Sequence, residues 1–192
     1  MTLEELYKEL SYVKGTRENR LKNAKLILDD LDLLPHLLTV LFMTEDKISC
    51  KAAWILEFVL AEYLYGIIPY LDEFTLKLST VKFDSAKRPV VKICEFIAKA
   101  YYSKDQNPIK TTLTALYRER IIECCFDWMI NDEKIAPKAY SMNSLYLLGH
   151  NHDWIHQELE LILERDFQMQ SSGFKARARH VLSKIKKARN NV

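Results

Sequence analysis

The sequence predicts an all-α protein of antiparallel helical hairpins stacked side by side, and three observations carry that prediction. First, one stripe recurs. When Val59 is aligned with Ile97, Leu148 and Ile185, the positions seven residues upstream are Ala52, Val90, Ser141 and Ala178, and those three upstream are Leu56, Cys94, Leu145 and Leu182. Spacing of i, i+4 and i+7 puts each trio on one face of a helix. The copies are offset by 38, 51 and 37 residues, the range in which two-helix units repeat. Second, Leu34-Pro35-His36-Leu37 and Ile68-Pro69-Tyr70-Leu71 match at an offset of 34, so a second helix type that opens on an apolar-Pro step alternates with the first. Third, only 4 Gly and 5 Pro occur, and no stretch alternates polar and apolar residues as a half-buried strand would.

The elements follow in order. Thr2 and Glu5 form a capping box that starts a short helix over 2–13, with Leu3, Leu6 and Leu10 on one face. Gly15 and Thr16 break it. Thr16 caps a helix over 17–30 whose inward residues are expected to be Leu21, Ala24, Ile27 and Leu28. Residues 33–43 form the next helix, with Pro35 tolerated in its first turn. Asp46 or Ser49 caps the helix that carries Ala52, Leu56 and Val59, and Gly66 is expected to end it. Residues 67–79 return, and Asp84 or Ser85 caps a helix running to Tyr102. The loop Ser103–Pro108 explains the long 51-residue interval. A long helix from Leu113 to Ile130 and helices over 135–148, 153–165 and 173–189 complete the set, with Asp153 and Ser171 or Ser172 as caps.

The length of 192 residues fits one domain able to bury its own core. The net charge of +2 is uneven: from Phe167 onward there are seven cations and no acid, so the rest of the chain carries a net −5. Cys50, Cys94, Cys124 and Cys125 form no CxxC pair, lie in helices, and read as small apolar fillers in a reducing compartment. The first residues are no signal peptide. The most apolar window, 52–71, contains Glu57, Glu62, Gly66 and Pro69. A charge at the centre of a membrane span costs roughly 2.5–3.5 kcal/mol, so a buried hairpin is expected there and the protein is expected to be soluble and cytoplasmic.

The stripe helices resemble those of HEAT-like repeats from about residue 16 to 192, with 2–13 as a capping helix in a single domain over 1–192. The resemblance implies a HEAT/ARM-like α-α superhelix in which the second helix of each pair lines a concave face. The Asp/Val-Arg feature of such repeats is echoed by Lys51, Arg88, Lys138 and Lys175. The family resemblance implies a non-enzymatic module that binds another macromolecule, a protein foremost. On the helical wheel, the side opposite the stripe carries Trp54 and Glu57; Arg88, Lys92 and Glu95; Asn143 and Tyr146; and His180. Exposed large aromatics among polar groups mark interfaces, so these are the expected binding residues.

The alternative is nucleic acid held by the basic last helix, through Lys175, Arg179, Lys186, Lys187 and Arg189. DNA alkylation repair glycosylases share HEAT-like repeats with a basic concave face, but no Asp stands here at a position matching their catalytic one. The whole chain is also similar to short bacterial helical-repeat proteins that have carried the label adenylosuccinate lyase. The lyase superfamily has a mobile loop, Gly-Ser-Ser-x-Met-Pro-x-Lys-x-Asn. Here the nearest string is Gln170-Ser171-Ser172-Gly173-Phe174-Lys175, without its Met, Pro and Asn, and the Thr-His-Gly segment is absent.

Two further patterns invite chemistry. His150, His152 and His156 cluster, with His152 and His156 four apart, but the sequence is not HExxH, and they read as surface histidines rather than metal ligands. Glu57 and Glu95 occupy equivalent places on consecutive stripe helices, where a carboxylate pair could form. A solvated charge ladder neutralised by Lys92 or Arg88 is the expectation. No catalytic residue and no cofactor are assigned.

Overall fold

Side-chain caps start some of the predicted helices, as at Thr2 and Thr16, but the expected Asp84 or Ser85 cap is not formed, since Phe83 precedes that helix and Asp84 is its first residue. The computed structural model describes residues 1–131 and 134–190, the last without its side chain; the final two residues of the expected repeat region lie outside the described residues. Thr2 closes its capping box and opens α1 (Leu3–Ser11), and Thr16 caps α2 (Arg17–Asp29). Then come α3 (Leu34–Leu41), α4 (Ile48–Glu62), α5 (Leu71–Leu76), α6 (Asp84–Tyr101) and α7 (Pro108–Thr112). They are followed by α8 (Ala115–Ile130), α9 (Ile135–Leu148), α10 (Asp153–Asp166) and α11 (Ser172–Asn190). Among the described residues there is no strand.

The helices form two rows. α2, α4, α6, α9 and α11 lie side by side, each packed on the next. Against them lie α1 and α3, both on α4, then α8 and α10, both on α9, with α5 on α8. The recurring stripe is the seam. Ala52, Leu56, Val59, Val90, Cys94, Ile97, Ser141, Leu145, Leu148, Ala178 and Ile185 are all buried. The molecule is an all-α helical-repeat superhelix.

The structure corrects the reading at several helix ends and faces. Leu182 is half-buried, because α11 is the last helix of the row. Leu21 is exposed at the other end, since α2 is the first helix of the row, and within α2 only Ala24 and Ile27 are fully covered. Asp46 caps α4 from outside its first turn, accepting from the Ile48 N–H at 2.9 Å. That helix ends at Glu62, before Gly66, where Tyr63 leaves helical geometry. Gly66 sits in a 3-10 segment, Leu64–Tyr70, at negative φ. It is small for a different reason: a Cβ there would stand 3.1 Å from the Tyr63 ring and 3.2 Å from Leu34. The expected 113–130 helix is α8, which starts at Ala115 under the Thr114 cap, and the short α7 precedes it. Ser171, not Ser172, caps α11.

No single described helix is long and apolar enough to cross a membrane. The apolar window from α4 to α5 bends by 117°.

Candidate functional site

The expected binding residues lie on the row of α2, α4, α6, α9 and α11, and proline places the first of them. Pro89 lies inside α6 and has no N–H, so the carbonyl four residues back, Ser85, has no helical donor. Trp54 of α4 fills that gap: its Nε1–H donates to the Ser85 oxygen at 2.9 Å. The indole is thereby fixed half-buried, and the Arg20 guanidinium of α2 lies 4.3 Å from its ring centre. Arg20 was missed at the sequence level. The signal was present, since Arg20, Ala24 and Ile27 repeat the i, i+4, i+7 spacing and put α2 in the row.

Glu57 and Glu95 are not a solvated ladder, nor do they pair with each other. Both are 3% exposed. Glu57 takes Lys92 Nζ at 2.5 Å and lies 3.6 Å from Arg88 Nη1, both from the neighbouring helix α6. Glu95 accepts from Asn143 Nδ2 of α9 at 2.6 Å and meets Lys99 at 3.1 Å. Buried charge is tolerated only when paired and hydrogen-bonded, and these contacts stitch α4 to α6 and α6 to α9. The acids lie beneath and the cation heads above, so this face shows more positive charge than its composition implies. Lys92 also stands 5.4 Å from the Phe96 ring centre.

Further along, Tyr146 of α9 is stacked on His156 of α10, with centroids 5.5 Å apart, while Lys184 of α11 covers it at 5.2 Å. His156 Nε2 bonds the Tyr146 carbonyl at 2.7 Å. His150 Nδ1 bonds the Leu147 carbonyl at 2.8 Å, and its ring meets Tyr102 and Tyr146. His152 is exposed and extended just before α10, so it shares no helix face with His156; Asp153 is the first helical residue rather than the cap. These histidines tie α9 to α10 as packing groups. Among the described residues no cluster of three or more His, Cys, Asp or Glu is arranged to hold a metal. His180 is exposed.

Three concavities follow one another as a groove along this face, each sharing lining residues with the next. One of about 470 Å³ is lined by Arg20, Glu57, Arg88 and Lys92. The next, about 250 Å³, shares Arg20 and Arg88 and adds Trp54 and Lys134. The third, about 440 Å³, shares Trp54 and Lys134 and reaches Lys51. Burial and the nearby Arg88 charge lower the Arg20 pKa, against the raising pull of Glu57.

The sequence profile of the HEAT repeat domain matches residues 7–185. The chain belongs to the HEAT repeat family. Neither a curated protein nor a solved structure matches it.

In this HEAT-repeat protein the basic last helix is less open than its composition implies. Lys186 faces Glu164 of α10 at 3.8 Å, and Arg189 Nη2 bonds Glu160 at 2.6 Å. Arg179 lies 5.2 Å and Lys175 5.9 Å from the Phe167 ring centre. Lys187 is exposed.

Proposed function

We propose that this HEAT-repeat protein is a non-catalytic scaffold that holds a partner protein along the face of its α2–α4–α6–α9–α11 row, the concave side of the array. The observation that supports it is the display of Arg20, Arg88, Lys92, Lys99 and Lys184 over buried carboxylates and aromatic rings of the same row. Such a face is preorganised, since each cation already has a seat, and it complements an acidic surface. Trp54, Asn143, Tyr146 and His180 lie along the same row. The test is capture from an extract of the native host on immobilised protein. A specific partner is expected on the unaltered chain and is lost on the double variant Trp54→Ala, Lys184→Glu, with helical content unchanged by circular dichroism. Equal capture by both proteins sinks the proposal.

The second reading, nucleic acid on α11, keeps a specific observation in its favour, the exposed Lys184, Lys186, Lys187 and Arg189. The acids of α10 that engage Lys186 and Arg189 weigh against it. If it holds, affinity for duplex DNA falls by about 0.9 log units per log unit of salt for each phosphate contacted. Lyase chemistry is not assigned: Ser171 caps α11 and Ser172 begins it, as structural residues do. We place the protein in the cytoplasm, where buried thiols remain reduced.

A further inference from the structure

The α2 end of the groove carries an imbalance that the fold does not resolve. Four cations, Arg17, Arg20, Arg88 and Lys92, line it against two carboxylates, Glu57 and Glu62. Glu57 is 3% exposed, and its Oε1 is taken by Lys92. Its Oε2 is buried with no hydrogen-bond donor, and the Arg88 nitrogen at 3.6 Å is too far to supply one. Arg20 Nε, at the same place, is buried with no acceptor. A buried donor and a buried acceptor both left unmade are costly. Like charges crowded in a half-enclosed cleft are relieved by an anion. The cleft therefore fits a group that brings an anion to Arg20 and Arg88 and an N–H to Glu57.

An acidic peptide in extended conformation supplies both. Its carboxylates match the guanidinium fork, and the adjoining backbone N–H reaches Glu57. A nucleic-acid strand fits less well: its backbone offers an acceptor and a negative charge at every phosphate, which the Glu57 carboxylate repels. The indole of Trp54, which would serve as a stacking platform, is already covered by Arg20. We infer that the groove docks an acidic, extended peptide segment of a partner protein, with Arg20, Arg88 and Lys92 receiving its carboxylates and Glu57 a backbone N–H. This rests on the scaffold reading above and adds the chemistry of the segment recognised. Past Trp54 the groove continues to Lys134 and Lys51. Lys134 is engaged by Asp84 at 3.1 Å and Lys51 by the Ser11 carbonyl, so the α2 end is the principal anchor.

The test follows fluorescence anisotropy of fluorescein-labelled oligoglutamate on the full chain, with oligoglutamine and single-stranded oligodeoxythymidine of equal length alongside. Oligoglutamate should bind saturably and weaken with salt, and oligoglutamine should not bind. The double variant Arg20→Gln, Arg88→Gln should lower the affinity about tenfold, and Lys186→Glu, Lys187→Glu should leave it within about twofold. Should the first variant lose helical content, Arg17→Glu, at the exposed start of α2, reads the same cleft and should weaken binding by about threefold. Oligoglutamate that fails to bind at millimolar concentration, binds the groove variants as well as the unaltered chain, or binds less tightly than oligodeoxythymidine overturns the inference. Loss of an extract partner on Trp54→Ala, Lys184→Glu without oligoglutamate binding overturns it while leaving the scaffold reading standing. Retention of that partner overturns the scaffold reading itself.

Discussion

Burial sets the chemistry of the thiols. Desolvation pushes Cys125 up to about 12 and Cys94 well above its ordinary value, with smaller lowering contributions from hydrogen bonds, and both are fully buried. Thiolate is the reactive form, so neither should react in the folded chain. Cys50, 8% exposed and raised by a partial burial, should be the first to take a thiol reagent. Timed labelling with mass spectrometry checks this, and early modification of Cys94 contradicts it. The surface at the foot of α4 has an acid sensor of its own. Asp46 accepts from the Ile48 N–H at 2.9 Å and from the Tyr7 hydroxyl at 2.6 Å, which hold its pKa below the ordinary 3.8. A depressed carboxylate stabilises the fold above its unfolded pKa, and that contribution is lost as pH falls through the folded value. The same bond raises Tyr7, whose contribution is present below its ordinary 10.0 and lost as pH rises through the raised value. Asp46→Asn should therefore lower the urea midpoint at neutral pH, and the gap from the unaltered chain should close in acid.

At the scale of a helix, the stripe was legible because i, i+4 and i+7 describe one helix surface whatever lies opposite it. Leu56 has no exposed surface, so Leu56→Ala should cost about 2–5 kcal/mol in chemical denaturation. A cost under about 1 kcal/mol would mean that the seam runs elsewhere. What lay across from the stripe was not legible, for a physical reason. Glu57 and Glu95 sit on the polar side of their own helices, and Lys92, Arg88 and Asn143 of the adjacent helices, with Lys99 one turn further along α6, make their burial tolerable. The same holds for Trp54, whose partner is a carbonyl released by a proline 35 residues away. Pro89→Ala restores a donor for Ser85, so the indole bond should weaken and the Trp54 emission should change while the helix itself gains. Gly149 shows the reverse case, where tertiary packing rather than φ demands glycine: a Cβ would stand 2.5 Å from His156 Nε2. Gly149→Ala must displace the ring that bonds the Tyr146 carbonyl and stacks on its side chain, and should destabilise the α9–α10 junction.

Across the whole molecule, the acidic body and basic end read as separable from composition, yet Glu160 and Glu164 of α10 meet Arg189 and Lys186 of α11. The contrast is therefore partly neutralised within the chain. Exposed pairs of this kind contribute only about 0–1 kcal/mol, so the end helix is held by Phe174, Ala178, Val181 and Ile185, not by its charges. In a stacked array each helix depends on its immediate neighbours, and stability is set by those interfaces. α4 and α6 are packed on both sides along the row, whereas α11 has α9 on one side only. Local opening should accordingly begin at α11, and its amides should exchange faster than those of α4 and α6 by a wide margin. Hydrogen exchange resolved by peptide is the measurement. Lys186→Glu with Lys187→Glu should accelerate exchange in α11 slightly and leave α4 and α6 untouched, because the Lys186–Glu164 pair it removes lies at the surface of the last interface. Protection in α11 equal to that in α6 would mean that the array unfolds as one unit, and stability could then not be divided among its neighbouring pairs.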